Sequence, residues 1–210
     1  RPEDTRAYIN RGITKKNLES SKSAISDFTL ATQVDSTDVI GYYNRAVLKT
    51  GKKNYPNAIQ DYTKIIEINP TFINAYYNRG VLRRKTGDYE GAMQDFLKVI
   101  ELDDTYTPAY NNMALIKKEQ GEYDAAIELF SEAISYNFYD AKAYYGRGLL
   151  RRKTEDKSGG LVDIKTAATM NPKYTLFLFG RGIAKIKTHD IVGEEFQIQS
   201  VDYVISNYDD

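Results

Sequence analysis

The chain has 210 residues, with 29 basic and 29 acidic side chains and no cysteine. A net charge of zero gives no general reason to expect nucleic acid or anionic lipid as a partner, and the lack of cysteine excludes disulfides and thiolate metal sites. No stretch approaches the ~18 uncharged apolar residues of a membrane span. The start at Arg1, with neither an initiator methionine nor an apolar leader, predicts a truncated or processed chain, and its compartment stays open between the cytoplasm and an extracytoplasmic location.

A 34-residue pattern occurs six times without insertion or deletion, in repeats that start at residues 5, 39, 73, 107, 141 and 175. The fourth position is tyrosine in the first five repeats, and the eighth is glycine or alanine in all six. The twentieth position is alanine or glycine in the first five. A fixed period in this range predicts a solenoid, here a single array over residues 5–208.

Each repeat is predicted to form two antiparallel helices, which are clearest in repeat 3. Helical spacing of apolar residues runs over Ala75–Lys85 and resumes over Tyr89–Leu102. Between them, Gly87 suits a left-handed helix end and Asp88 suits the N-cap of the next helix.

The last two repeats depart from this pattern. The second helix of repeat 5 begins weakly, with two adjacent glycines in the run 157–160. Repeat 6 places Glu194 opposite Gly182, where two helices should meet most closely. We therefore expect repeat 6 to be a degenerate capping repeat with a polar outer face.

The succession of aromatic, small, aromatic, alanine, aromatic and proline positions at 34-residue spacing resembles the tetratricopeptide repeat (TPR) family over residues 5 to about 208. The resemblance implies an all-α fold, a right-handed alpha-alpha superhelix (TPR solenoid) of antiparallel helical hairpins whose first helices line a concave groove. Family members are mostly adaptors that hold peptides or partner domains. The Asn-Arg-Gly and Asp-Phe phrases favour a bacterial source.

The seventh and twenty-third positions of the repeats vary together. In repeat 4 they are both apolar, Met113 and Leu129, whereas four other repeats have arginine and aspartate. These positions lie about 3 Å from direct opposition in a hairpin, which arginine can span. The predicted structural ion pairs are Arg11 with Asp27, Arg45 with Asp61, Arg79 with Asp95, and Arg147 with Asp163. The alternative is a row of arginines that binds anionic ligands.

The groove positions of such an array are the second, fifth, sixth, ninth, twelfth and thirteenth of each repeat. The sixth position holds Asn10, Asn44, Asn78 and Asn112. An asparagine offers a donor and an acceptor to an extended peptide backbone, although it could instead solvate its helix or bond to the next one. The fifth position holds Tyr43, Tyr77 and Tyr145, which could anchor a ligand or pack between repeats.

Basic residues gather at the eleventh to thirteenth positions, where they would form a rim that attracts acidic segments. The candidate rim residues are Arg84, Lys85, Lys118, Arg152 and Lys153. Cations at these helix ends also complement the helix dipole, so both interpretations can hold together. The ninth positions are aliphatic and the fifth mostly aromatic, which argues against the clamp by which some TPR adaptors bind chaperone C-terminal tails.

No catalytic or cofactor motif occurs in the sequence. His189 is the single histidine, and no glycine-rich phosphate loop, His-Glu-x-x-His motif or calcium loop is present. We therefore expect a non-enzymatic scaffold, without metal or cofactor, that binds an extended peptide or protein segment in its groove, where the basic rim would attract an acidic one. The alternative is a self-assembly module that associates through an array end or a lateral face.

Overall fold

The structure is a computed structural model that describes residues 4–18 and 20–171, and these residues form ten helices and no strand. The expected capping repeat, with Glu194 and His189, lies outside the described residues. The helices are α1 Thr5–Asn17, α2 Ser21–Val34, α3 Val39–Gly51, α4 Tyr55–Ile68, α5 Ile73–Lys85, α6 Tyr89–Leu102, α7 Thr107–Glu119, α8 Tyr123–Tyr136, α9 Ala141–Lys153 and α10 Lys157–Met170. The predicted all-α fold of helical hairpins is confirmed.

Helix starts follow the sequence period. The first helices are 13 residues long and start at residues 5, 39, 73, 107 and 141, and the second helices are 14 residues long and start 16 residues later. In repeat 3 the first helix begins two residues before the predicted Ala75, and the second matches its predicted bounds. The weak start of α10 is stabilised by Asp156, whose side chain accepts a hydrogen bond from the Gly159 backbone N–H at 2.9 Å.

The chain divides into two compact units, Arg1–Asn112 (unit 1) and Met113–Asp210 (unit 2). In unit 1, small residues lie where paired helices meet, and Ala24, Ala46, Ala58 and Ala92 are fully buried there. The rings of Phe28 and Phe96 fill the adjacent space and are also fully buried, a burial that contributes about 1.5–3 kcal/mol each. In unit 2, Gly148 and Gly160 are the small residues at the meeting point of α9 and α10. None of the described helices is long and apolar enough to cross a membrane.

In repeats 2 to 5 the turn between the two helices places one residue in the left-handed conformation. Gly87 and Gly121 adopt it with φ of +84° and +81°, and Asp88 caps α6 through a hydrogen bond from the Gly91 N–H, as predicted. Lys53 and Glu155 occupy the same turn position with φ of 59° and 60°. A side chain with a Cβ is strained in this conformation by roughly 1–2 kcal/mol.

We expect Lys53→Gly and Glu155→Gly each to raise the free energy of unfolding by about 0.5–1 kcal/mol, because the strain outweighs the extra entropy of glycine in the unfolded chain. Urea denaturation followed by circular dichroism measures the change. Gly87→Ala serves as the reciprocal variant and should destabilise. A destabilised Lys53→Gly would show that the lysine side chain contributes more than its backbone strain costs.

Candidate functional site

Four described repeats hold a buried carboxylate against an arginine of the preceding helix. The nearest N–O distances are 2.6 Å for Arg11–Asp27 and 2.7 Å for Arg45–Asp61, Arg79–Asp95 and Arg147–Asp163. Both oxygens of each carboxylate accept from the guanidinium, and the aspartate side chains are only 3–5% exposed. Such bidentate pairs fix the geometry of both partners.

Each of these carboxylates also contacts a second cation, from the eleventh position of the repeat. Lys15, Lys49, Arg83 and Arg151 lie 2.8, 2.7, 2.9 and 3.0 Å from the aspartate of their own repeat. We call each set of one aspartate and two cations an ion-pair network. Sequence position alone predicted that these basic residues line the rim, and their contact with the buried aspartates was not predicted. The available signal was their spacing, since positions seven and eleven share one helix face.

Hydrogen bonding from Arg11 holds the pKa of Asp27 below its ordinary value. A carboxyl group with a lowered pKa in the folded state stabilises the fold fully above its unfolded pKa, and this contribution is lost as the pH falls through the folded value. The Asp27 carboxyl group is therefore ionised at neutral pH.

Three of the arginines also bond to the repeat before their own. Arg45 donates to Thr32 at 2.9 Å and Thr29 at 3.2 Å, and Arg79 donates to Thr63 at 3.0 Å. In unit 2, Arg147 donates to Ser131 at 3.0 Å. The side chains of these three arginines are 12–13% exposed, whereas that of Arg11 in repeat 1 is 54% exposed. The geometry of the covered arginines is that of structural cross-links between helices.

The asparagines of the sixth position contact neighbouring helices as well as their own. Asn78 donates to the Tyr43 hydroxyl at 3.5 Å, and Asn112 donates to the Tyr77 hydroxyl at 3.3 Å. Asn44 and Asn112 also donate to the backbone carbonyl four residues earlier. Asn112 is only 3% exposed, Asn44 and Asn78 are half-buried, and Asn10 is exposed. The amide groups of Asn78 and Asn112 therefore lie at junctions between repeats in unit 1.

Tyr43 and Tyr77 pack at the same junctions. The Tyr43 ring lies 5.7 Å from that of Phe72, and the Tyr77 ring lies 5.2 Å from that of Tyr106. Burial raises the pKa of Tyr77, so its hydroxyl keeps its proton at neutral pH. Both tyrosines are half-buried, and each combines packing between repeats with a surface-accessible edge.

The candidate rim residues have diverse environments. Lys85 lies 5.9 Å above the Tyr55 ring and Lys153 lies 4.9 Å above the Tyr123 ring, as cation–π pairs. Arg84 is half-buried, and Arg152 borders a cavity with Lys157, Ser158 and Leu161. Lys118 is exposed.

Unit 2 contains a second cavity, of about 240 Å³, that sequence reasoning did not find. Its lining residues are Leu115, Lys118, Phe130, Lys142, Tyr145, Gly146 and Leu149. All but Phe130 stand at groove positions of repeats 4 and 5. The cavity therefore combines aliphatic and aromatic walls with two lysines.

Within the described residues, no group of three or more histidine, cysteine, aspartate or glutamate side chains could hold a metal ion.

Two family models described as Tetratricopeptide repeat match the sequence, one over residues 39–72 and 73–106 and the other over 96–128. No curated protein sequence matches the chain.

Solved structures with the same fold include MamA, at 21% identity and a TM-score of 0.73, with 90% of this chain and 97% of that chain covered. Pseudomonas aeruginosa pilF is 17% identical with a TM-score of 0.72, covering 95% of this chain and 88% of that one. YrrB, described as a TPR protein with an unusual peptide-binding site, is 21% identical with a TM-score of 0.67, covering 83% and 90%. Tetratricopeptide repeat models therefore match residues 39–128 of this chain, and its ten described helices fit tandem repeats of that family.

Proposed function

We propose that the chain is a non-enzymatic scaffold that binds an extended peptide or partner segment across the groove positions of its first helices. Proteins of this family are protein-interaction scaffolds, and YrrB, one of the structural relatives, is described as having a peptide-binding site. Catalysis needs convergent titratable groups in one pocket, and the two described cavities are lined by lysine, arginine, tyrosine, serine and apolar residues without an acidic partner.

The observation that carries the proposal is the spacing of asparagine and tyrosine in unit 1. Asn44 and Asn78 stand 34 residues apart and half-buried on α3 and α5, each next to a tyrosine. Their Nδ2 groups donate within the protein, whereas no described donor reaches their amide oxygens. Two acceptors repeated in register suit the N–H groups of an extended backbone, with the tyrosine edges beside them as apolar contacts. Asn112 is buried and supports Tyr77 rather than a ligand.

The proposal is tested with the double variant Asn44→Ala/Asn78→Ala. A binding partner isolated with the wild-type chain should bind this variant about tenfold or more weakly, because two hydrogen bonds to the bound backbone are lost. Asn57→Ala, on the second helix of repeat 2, is the matched control and should bind as the wild type does. Equal binding by the double variant and the control would show that Asn44 and Asn78 do not contact the partner.

A second candidate is self-association through the face of repeat 1 on which Arg11 is exposed. The equivalent arginines of repeats 2, 3 and 5 are covered by a hydroxyl-bearing helix of the preceding repeat, whereas Arg11 is 54% exposed. A second copy could present such a helix. Sedimentation of the wild type should then show a concentration-dependent dimer that Arg11→Glu abolishes, whereas a monomer at all concentrations would overturn this candidate.

A further inference from the structure

We infer that the 240 Å³ cavity between α7 and α9 binds an apolar side chain of an acidic peptide segment. Lys118 and Lys142 would bind the peptide carboxylates on either side of that apolar residue. This inference rests on the proposed function, since it assumes that an extended segment lies on the first helices. It adds the chemical class of that segment, which the asparagines of unit 1 do not specify.

The walls of the cavity select an apolar group. Leu115 of α7 and Leu149 of α9 face it, with Tyr145 and the edge of the Phe130 ring. Its volume of about 240 Å³ lies below the roughly 300–1,000 Å³ of pockets that enclose whole small molecules. A single side chain carried by a peptide is the occupant that fits this size.

The two lysines supply the charge at its edges. Lys118 comes from α7 and Lys142 from α9, so the cations approach from two different helices. Both are exposed, and neither forms an ion pair with any acidic residue in the described part of the chain. This differs from Lys15 and Lys49, whose ammonium groups contact buried aspartates. The unpaired lysines favour a ligand with carboxylates on both sides of its apolar residue.

Gly146 allows the Phe130 ring to form one wall of the cavity. The first four repeats have asparagine at this sixth position, and repeat 5 has glycine. A Cβ added to Gly146 would lie 2.8 Å from Cε1 and Cε2 of Phe130, so the ring packs directly against the bare backbone. Repeat 5 therefore replaces the amide of the other repeats with an apolar contact between the Phe130 ring and the backbone of α9.

The test uses two amidated and acetylated peptides on the full chain, Gly-Asp-Leu-Asp-Gly and its uncharged analogue Gly-Asn-Leu-Asn-Gly. Titration is followed by backbone amide NMR. We expect the aspartate peptide to shift the amides of Leu115, Gly146 and Leu149, and the asparagine analogue to bind about fivefold to tenfold more weakly. In Lys118→Gln/Lys142→Gln the two peptides should bind equally.

Lys64→Gln/Lys98→Gln removes the same charge from α4 and α6 and should keep the preference for the aspartate peptide. Gly146→Asn keeps both lysines, but its Cβ would displace the Phe130 ring from the wall of the cavity, so it should weaken both peptides while its circular dichroism spectrum stays helical. Equal binding of the two peptides to the wild type, or amide shifts that avoid the cavity, would overturn the inference. Such results leave the proposed function standing, because that is decided by the Asn44→Ala/Asn78→Ala variant and the partner it binds.

Discussion

Replacement of Asp95 by leucine is expected to lower the free energy of unfolding by about 4 kcal/mol. Asp95 is buried and holds two cations, Arg79 at 2.7 Å and Arg83 at 2.9 Å. Without it, the largely buried Arg79 guanidinium has no carboxylate, and an uncompensated buried charge is the costly result of breaking such a pair. Arg79→Ala should cost less, about 3 kcal/mol, because Asp95 retains Arg83.

Repeat 4 provides the template for restoring this stability. It has Met113 and Leu129 at the positions of Arg79 and Asp95, and Leu97 stands 16 residues before Met113 as Thr63 stands before Arg79. The triple variant Thr63→Leu/Arg79→Met/Asp95→Leu copies this set. In the wild type Arg83 also lies 3.4 Å from Asp88, and this ion pair would remain in the triple variant. The equivalent Lys117 of repeat 4 contacts Glu122 at 2.7 Å.

We expect the triple variant to regain most of the stability lost in Asp95→Leu, because apolar side chains of similar volume replace buried ion pairs without a desolvation cost. Urea denaturation of the wild type, the two single variants and the triple variant measures this, with the m-value as a check that the unfolding unit is unchanged. A triple variant no more stable than Asp95→Leu would show that the charged and apolar arrangements are not interchangeable in repeat 3.

The helical architecture could be predicted from the sequence because the same local signals recur at one period. Gly87 and Gly121 mark the left-handed turns, Asp88 caps a helix, and buried alanines mark the contact between helices. These signals act within a few residues of one another, so no distant contact has to be known. Lys53 and Glu155 show that the turn forms even without glycine.

The ion pairs could be anticipated because Met113 and Leu129 vary together with the arginines and aspartates of the other repeats. The cations of the eleventh position do not vary with the aspartates in this way, since repeat 4 has Lys117 there although it lacks the aspartate. The burial of Asn112 depends on how its amide packs against Tyr77, and the wall beside Gly146 depends on how the Phe130 ring packs against the backbone. The 35-residue spacing of Asn112 and Tyr77 recurs at Asn78 and Tyr43, but the sequence does not show which of the two amides becomes buried or which ring meets Gly146.

The second large effect is expected from Gly148→Ala, which should lower the free energy of unfolding by about 2 kcal/mol. A Cβ at this position would lie 2.8 Å from the backbone carbonyl oxygen of Gly160 and 2.8 Å from Cγ1 of Ile164. The carbonyl belongs to α10 and cannot rotate away, so the helices would have to separate. This cost exceeds the roughly 0.5–1 kcal/mol that alanine gains over glycine inside a helix.

Gly51→Ala is the control, because nothing lies within 4 Å of a Cβ there, and it should leave the stability unchanged or slightly raised. Repeat 2 shows that alanine at both positions is compatible with the hairpin, since Ala46 and Ala58 are fully buried. In repeat 5, whichever glycine is replaced first should force α9 and α10 apart. The second replacement should then lower the free energy of unfolding by less. A double-mutant cycle with Gly148→Ala and Gly160→Ala measures this coupling. Strictly additive losses would mean that each alanine is accommodated by side-chain shifts alone and that the distance between α9 and α10 does not depend on the glycine pair.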